Sequence, residues 1–150
     1  MGSIPALPRW LGLAGLLPQA AFVALLYAGP GEWRAAALAL AFAYAALILS
    51  FLGGMWWGIA AAAPAAQRRK ALGWLWVAAV MPSLVALGCF FPWALGWAWP
   101  EPSLVMLAAA LWLSLGVDAR LGVLAPRWWM ALRVPLSVGL GLLTLAAAFA

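Results

Sequence analysis

Ala35–Gln67 reads AAALALAFAYAALILSFLGGMWWGIAAAAPAAQ and contains no charged residue. A helix crosses the hydrocarbon core of a bilayer with about 20 apolar residues, so this run alone is long enough to span one. Ala71–Pro100 is a second uncharged run. Working outward from these two, the whole chain is 69% hydrophobic and only 7% charged. A soluble domain carries about 25% charged residues, and this chain lacks the polar side chains to cover a water-facing surface. The fold class that follows is an all-α integral membrane protein, a five-helix transmembrane bundle in one domain over residues 1–150.

The spans are expected at about Trp10–Ala28, Trp33–Ala62, Ala71–Phe90, Ser103–Leu121 and Arg127–Ala150. Gly29-Pro30-Gly31 closes the first. The second would be about 45 Å long at the α-helical rise, so it must tilt, bend or protrude. Gly53-Gly54 is its natural bending point. Phe91–Pro102, FPWALGWAWPEP, is expected at the interface because its prolines interrupt a helix.

The basic residues sit at the ends of apolar runs. By the positive-inside rule, Arg68, Arg69 and Lys70 make the loop between spans two and three cytoplasmic. Alternation then places Arg9, Arg120, Arg127 and Arg133 on the same side, leaving only Arg34 opposite. The expected orientation is N-terminus cytoplasmic and C-terminus periplasmic, in a bacterial inner membrane. The N-terminus lacks a basic signal-peptide region, so the first helix is expected to be retained. The net charge of +5 is distributed as topology signals rather than as a nucleic-acid footprint. The expected partner is the lipid bilayer, not nucleic acid.

Several chemistries are excluded. The chain has no His, which removes His-based triads, imidazole metal sites and His-ligated haem. Its single Cys89 cannot form an internal disulfide. The only acids are Glu32, Glu101 and Asp118, and no nucleophile stands with a recognisable base. No enzymatic activity, metal or resident cofactor is predicted.

Twelve tryptophans stand out. Most fall near span ends, where indole anchors at the headgroups. Trp56, Trp57, Trp76 and Trp112 lie further in, where they either line a flat apolar pocket or fill helix junctions. Ser50, Gly54 and Gly58 form a small-residue stripe at helical spacing, which lets another helix approach closely. That helix is either in this chain or in a partner. Asp118 and Arg133 are the ionisable candidates. A charge in a bilayer finds a partner, so they either pair and lock the hairpin of spans four and five, or leave Arg133 for an anionic or lipid ligand. Gln19, Ser50 and Ser83 sit near span centres and are expected to hydrogen-bond one another. Pro18-Gln19 and Pro82-Ser83 form a faint parallel repeat.

LGLAGLLP at residues 11–18, YAALILSFLGG at 44–54 with the Trp57-Gly58 that follows, Pro82-Ser83, Asp118 and the Arg133-x-Pro135-Leu136 segment together resemble a bacterial and mitochondrial membrane family that includes transmembrane protein 69. The resemblance covers most of the chain. It implies five helices in an energy-transducing membrane, and no activity, because that family's function is unknown. Gln19 and Met55-Trp56 depart from the pattern. Length, helix count and tryptophan content are also similar to the tryptophan-rich sensory proteins that bind tetrapyrroles. Their Trp-Pro-Pro first loop is absent here.

The leading expectation is a non-enzymatic accessory or assembly partner of a membrane complex, docking through Ser50, Gly54 and Gly58. The alternative is a binding protein for a lipid, quinone or tetrapyrrole, using the inner tryptophans Trp56, Trp57, Trp76 and Trp112 with Arg133. In either case Trp56, Trp57, Gly54, Asp118 and Arg133 are expected to form the working face. Passive transport of a small metabolite or lipid is a third.

Overall fold

A computed structural model describes residues 4–63, 72–97 and 99–150. Its elements are α1 (Ala6–Ala14), α2 (Leu17–Ala28), α3 (Arg34–Ala62), α4 (Gly73–Ala94), α5 (Glu101–Arg120) and α6 (Trp129–Ala148). Short 3-10 turns at Gly31–Trp33 and Gly122–Leu124 lead into the second and fifth spans. Among the described residues, α1 and α2 taken together and each of the other four helices are long and apolar enough to cross a membrane. This is the make-up of a multi-pass membrane protein. The basic loop Arg68, Arg69 and Lys70, and the expected start of span three at Ala71, lie outside the described residues.

Two boundaries differ from expectation. The first span starts at Ala6, because a proline in the first turn of a helix withholds only an N–H that has no partner there. The span is broken at Gly15-Leu16. There Pro18 occupies the first turn of α2, and the hydroxyl of Tyr44 on α3 donates to the Gly15 carbonyl. The third span continues through Pro92 to Ala94, instead of ending at Phe90. Its stop is Gly96, at φ +70. With that turn, the Trp97 N–H reaches the Pro92 carbonyl at 2.7 Å and the Gly96 N–H reaches Trp93 at 3.1 Å. This is a Schellman closure, which a glycine makes without strain.

At Gly53-Gly54 the two glycines have different surroundings. The α3 helix is continuous across the pair, and only Gly53 is buried. A Cβ at Gly53 would collide with the Ala79 carbonyl oxygen of α4 and press on Pro82. The glycine at 53 lets α4 approach α3 closely. The α3/α4 and α5/α6 pairs pack most extensively, with α2 against α3 and α6. Leu49, Leu52, Leu75, Leu104, Leu107 and Leu111 fill the centre. At the end carrying Ala28, Arg34 and Ala148, the Tyr27 hydroxyl donates to the Ala146 carbonyl at 3.0 Å, and Arg34 donates to the carbonyl of Ala150.

Candidate functional site

Asp118 lies near the end of α5 and is 2% exposed. Its carboxylate takes donors from two other helices. Oδ2 receives the Arg133 Nε–H of α6 at 2.8 Å. Oδ1 receives the Trp56 indole N–H of α3 at 2.9 Å and the Trp129 indole N–H of α6 at 3.1 Å. A buried carboxylate is costly unless paired and hydrogen-bonded, and here it is both. The pairing expected of the hairpin is present, joined by two indoles.

Arg133 is not used up by this. It is 8% exposed, and its Nη2 has no hydrogen-bond partner among the described residues. One turn further along α6, the Ser137 hydroxyl is 2% exposed and equally unpartnered. Both side chains line a cavity of about 180 Å³ among α1, α3, α5 and α6. Its walls are otherwise apolar, including Ile48, Leu52, Leu111 and Leu140. Leu11 and Phe51, both about two-thirds exposed, also line it. The cavity therefore opens onto the outer, apolar surface of the helix bundle. On its far side, Asp118 borders a separate cleft of about 440 Å³ formed with the loop through Gly122, Pro126 and Arg127.

The other sequence candidates are elsewhere. Trp57 is 51% exposed and stacks edge-on against Trp76 at 4.6 Å. Neighbours on a helix point about 100° apart, so Trp56 and Trp57 do not share a face. Trp112 lies over Gly141, where a Cβ would collide with its indole. It packs α5 on α6 and does not line the cavity. Gly54 and Gly58 are exposed, with open space beyond each, so none of the described helices packs on these two glycines.

The mid-span polar residues separate as well. Gln19, fully buried, donates from Nε2 to Thr144 Oγ1 at 3.2 Å, and Thr144 donates to the Leu140 carbonyl. Ser50 and Ser83 instead line an outward groove between α3 and α4. Gln19 is buried and Ser83 exposed, so the two Pro-polar pairs are not structurally equivalent. Cys89 is buried. No group of acids, His and Cys able to hold a metal occurs among the described residues.

Sequence reasoning missed Trp129, Ser137 and Thr144. Trp129 looked like an interfacial anchor. Ser137 was legible as one turn beyond Arg133 on the same helix face.

No curated protein and no solved structure compared with the chain matches it. A family model does match, over residues 4–149, and so takes in all six described α-helices and every residue of the Asp118 cluster. On that extent, the chain belongs to the family described as "Protein of unknown function (DUF3429)".

Proposed function

We propose that this protein is a non-catalytic binding protein of a bacterial inner membrane, holding the polar head of an amphiphile in the cavity beside Arg133. The observation that carries this is the pair of unpartnered buried donors, Arg133 Nη2 and Ser137 Oγ, on one apolar cavity. A buried polar group without a partner costs about 1–3 kcal/mol, and a ligand oxygen would remove that cost. Asp118 holds the guanidinium by Nε, so the ligand meets a preset group.

The orientation proposed is N-terminus in the cytoplasm. Arg9, Arg120 and Arg127 lie at the bundle end where α3 finishes and α4 begins, and Arg68, Arg69 and Lys70 connect those two helices in sequence. The resemblance to transmembrane protein 69 belongs to the same proposal. The test is mass spectrometry of the protein extracted in native lipid particles. A stoichiometric small molecule retained by the wild type and lost from Ser137→Leu supports the reading. Its absence from both overturns it.

A second reading is accessory-subunit function through Ser50, Gly54 and Gly58. It is favoured by the open space beyond both glycines, which leaves the stripe free for a partner helix. In the same extraction, a stoichiometric protein lost from Gly54→Leu supports it.

A further inference from the structure

Resting on the binding reading above, we infer that the head taken by the Arg133 cavity is a neutral carbonyl group, with a single ring as the largest head that fits. Two observations decide this, charge and size.

The site already balances its charge. Asp118 and Arg133 form a pair with side chains 0% and 9% exposed, and the indoles of Trp56 and Trp129 add donors without adding charge. An anionic head would leave one uncompensated negative charge in a low-dielectric setting, which is strongly unfavourable. A neutral acceptor avoids that penalty and still satisfies both orphans. Arg133 offers only donors, and Ser137 can donate through its hydroxyl. A carbonyl oxygen, with two lone pairs, matches this. Residues four apart on a helix are neighbours, with Cβ atoms about 5–6 Å apart, so one head reaches both.

The volume sets the upper size. A dry cavity of about 150 Å³ takes benzene. The 180 Å³ here therefore takes one substituted six-membered ring or the ester end of an acyl chain. A tetrapyrrole is several times too large. Leu11 and Phe51 at the rim leave a tail to lie in the bilayer. Two sources supply this chemistry, the ring carbonyl of a prenylated or alkylated benzoquinone and the ester carbonyl of a glycerolipid.

The experiment uses the full chain in dodecyl maltoside, a detergent without a carbonyl, with adducts counted by native mass spectrometry. The probes are a 1,4-benzoquinone with a ten-carbon tail, dioctanoylglycerol and hexadecyl phosphate. One neutral probe is expected to bind saturably, one per chain. Ser137→Ala should weaken it about 5-fold, the equivalent of one hydrogen bond. Ile48→Trp, which fills the cavity, should abolish it in a protein with an unchanged helical melt. Whichever neutral probe displaces the other at equal concentration identifies the source as ring or ester. Tighter, Ser137-dependent binding of hexadecyl phosphate would overturn the neutral-head inference and leave the binding reading standing. No adduct with any probe, on a folded wild type, overturns both.

Discussion

Arg133 Nε lies 2.8 Å from Asp118 Oδ2, while the other carboxylate oxygen accepts the indoles of Trp56 and Trp129. This carboxylate thus joins α3, α5 and α6 at one point. It is a mixed site of one cation and two neutral donors, which separates it from a simple hairpin ion pair.

The composition of the cluster predicts how a charge swap behaves. Asp118→Ala and Arg133→Ala should each destabilise the protein by about 3–5 kcal/mol, because either strands a buried charge. Asp118→Arg with Arg133→Asp should recover little. Two indole N–H groups, which only donate, would then face a guanidinium that also only donates. Thermal unfolding of the single and double variants in detergent checks this. Full recovery by the swap would show that the indoles carry no weight.

Trp56 and Trp57 should behave in opposite ways despite being adjacent. Trp56→Phe removes a hydrogen bond to a charged, buried acceptor and should cost about 1.5–3 kcal/mol. Trp57→Phe keeps an edge-on aromatic contact with Trp76 on the exposed face, and should stay within about 0.5 kcal/mol of the wild type. Equal losses would argue against the placement of the two indoles.

A similar contrast holds for the glycine pair. Gly53→Ala forces a methyl against the Ala79 carbonyl of α4 and should cost about 1–3 kcal/mol by overpacking. Gly54→Ala enters open space and should be neutral, or stabilising by up to about 1 kcal/mol through helix propensity. Melting temperatures of the two variants decide it.

Gln19 and Thr144 make the mildest prediction. Interhelical hydrogen bonds in membranes average about 0.6 kcal/mol, and Gln19 Oε1 has no partner among the described residues. Gln19→Leu combined with Thr144→Val should therefore lie within about 1 kcal/mol of the wild type, since no polar atom of the pair is left behind. A loss of several kcal/mol would mean that Gln19 does more than hold Thr144.

How far the sequence carried can be traced through single residues. Asp118 and Arg133 were identifiable because charges in apolar runs are rare and need partners. Trp129 was not, because an indole near a span end has the same sequence signature whether it faces lipid or turns inward to a carboxylate. The Ser50/Gly54/Gly58 spacing was legible, but the partner on Gly53 was not. Adjacent glycines lie on different faces, and only the seat of α4 selects one. Phe91–Pro102 looked broken because prolines were weighed alone, whereas the helix stops where Gly96 turns to positive φ.

The sequence by itself determined the apolar character, the helical class and five segments long enough to span a membrane. Each of these depends on summed hydrophobicity and backbone hydrogen bonding, which are local properties. Tertiary structure decided which face of each helix turns inward. That rotation brought Trp56 to Asp118, sent Trp57 outward, and left Arg133 Nη2 and Ser137 Oγ unpartnered on one cavity. In segments apolar on every side, no amphipathic stripe marks an inner face. Side-chain packing between helices sets the rotation, and packing is a property of pairs that no single segment contains.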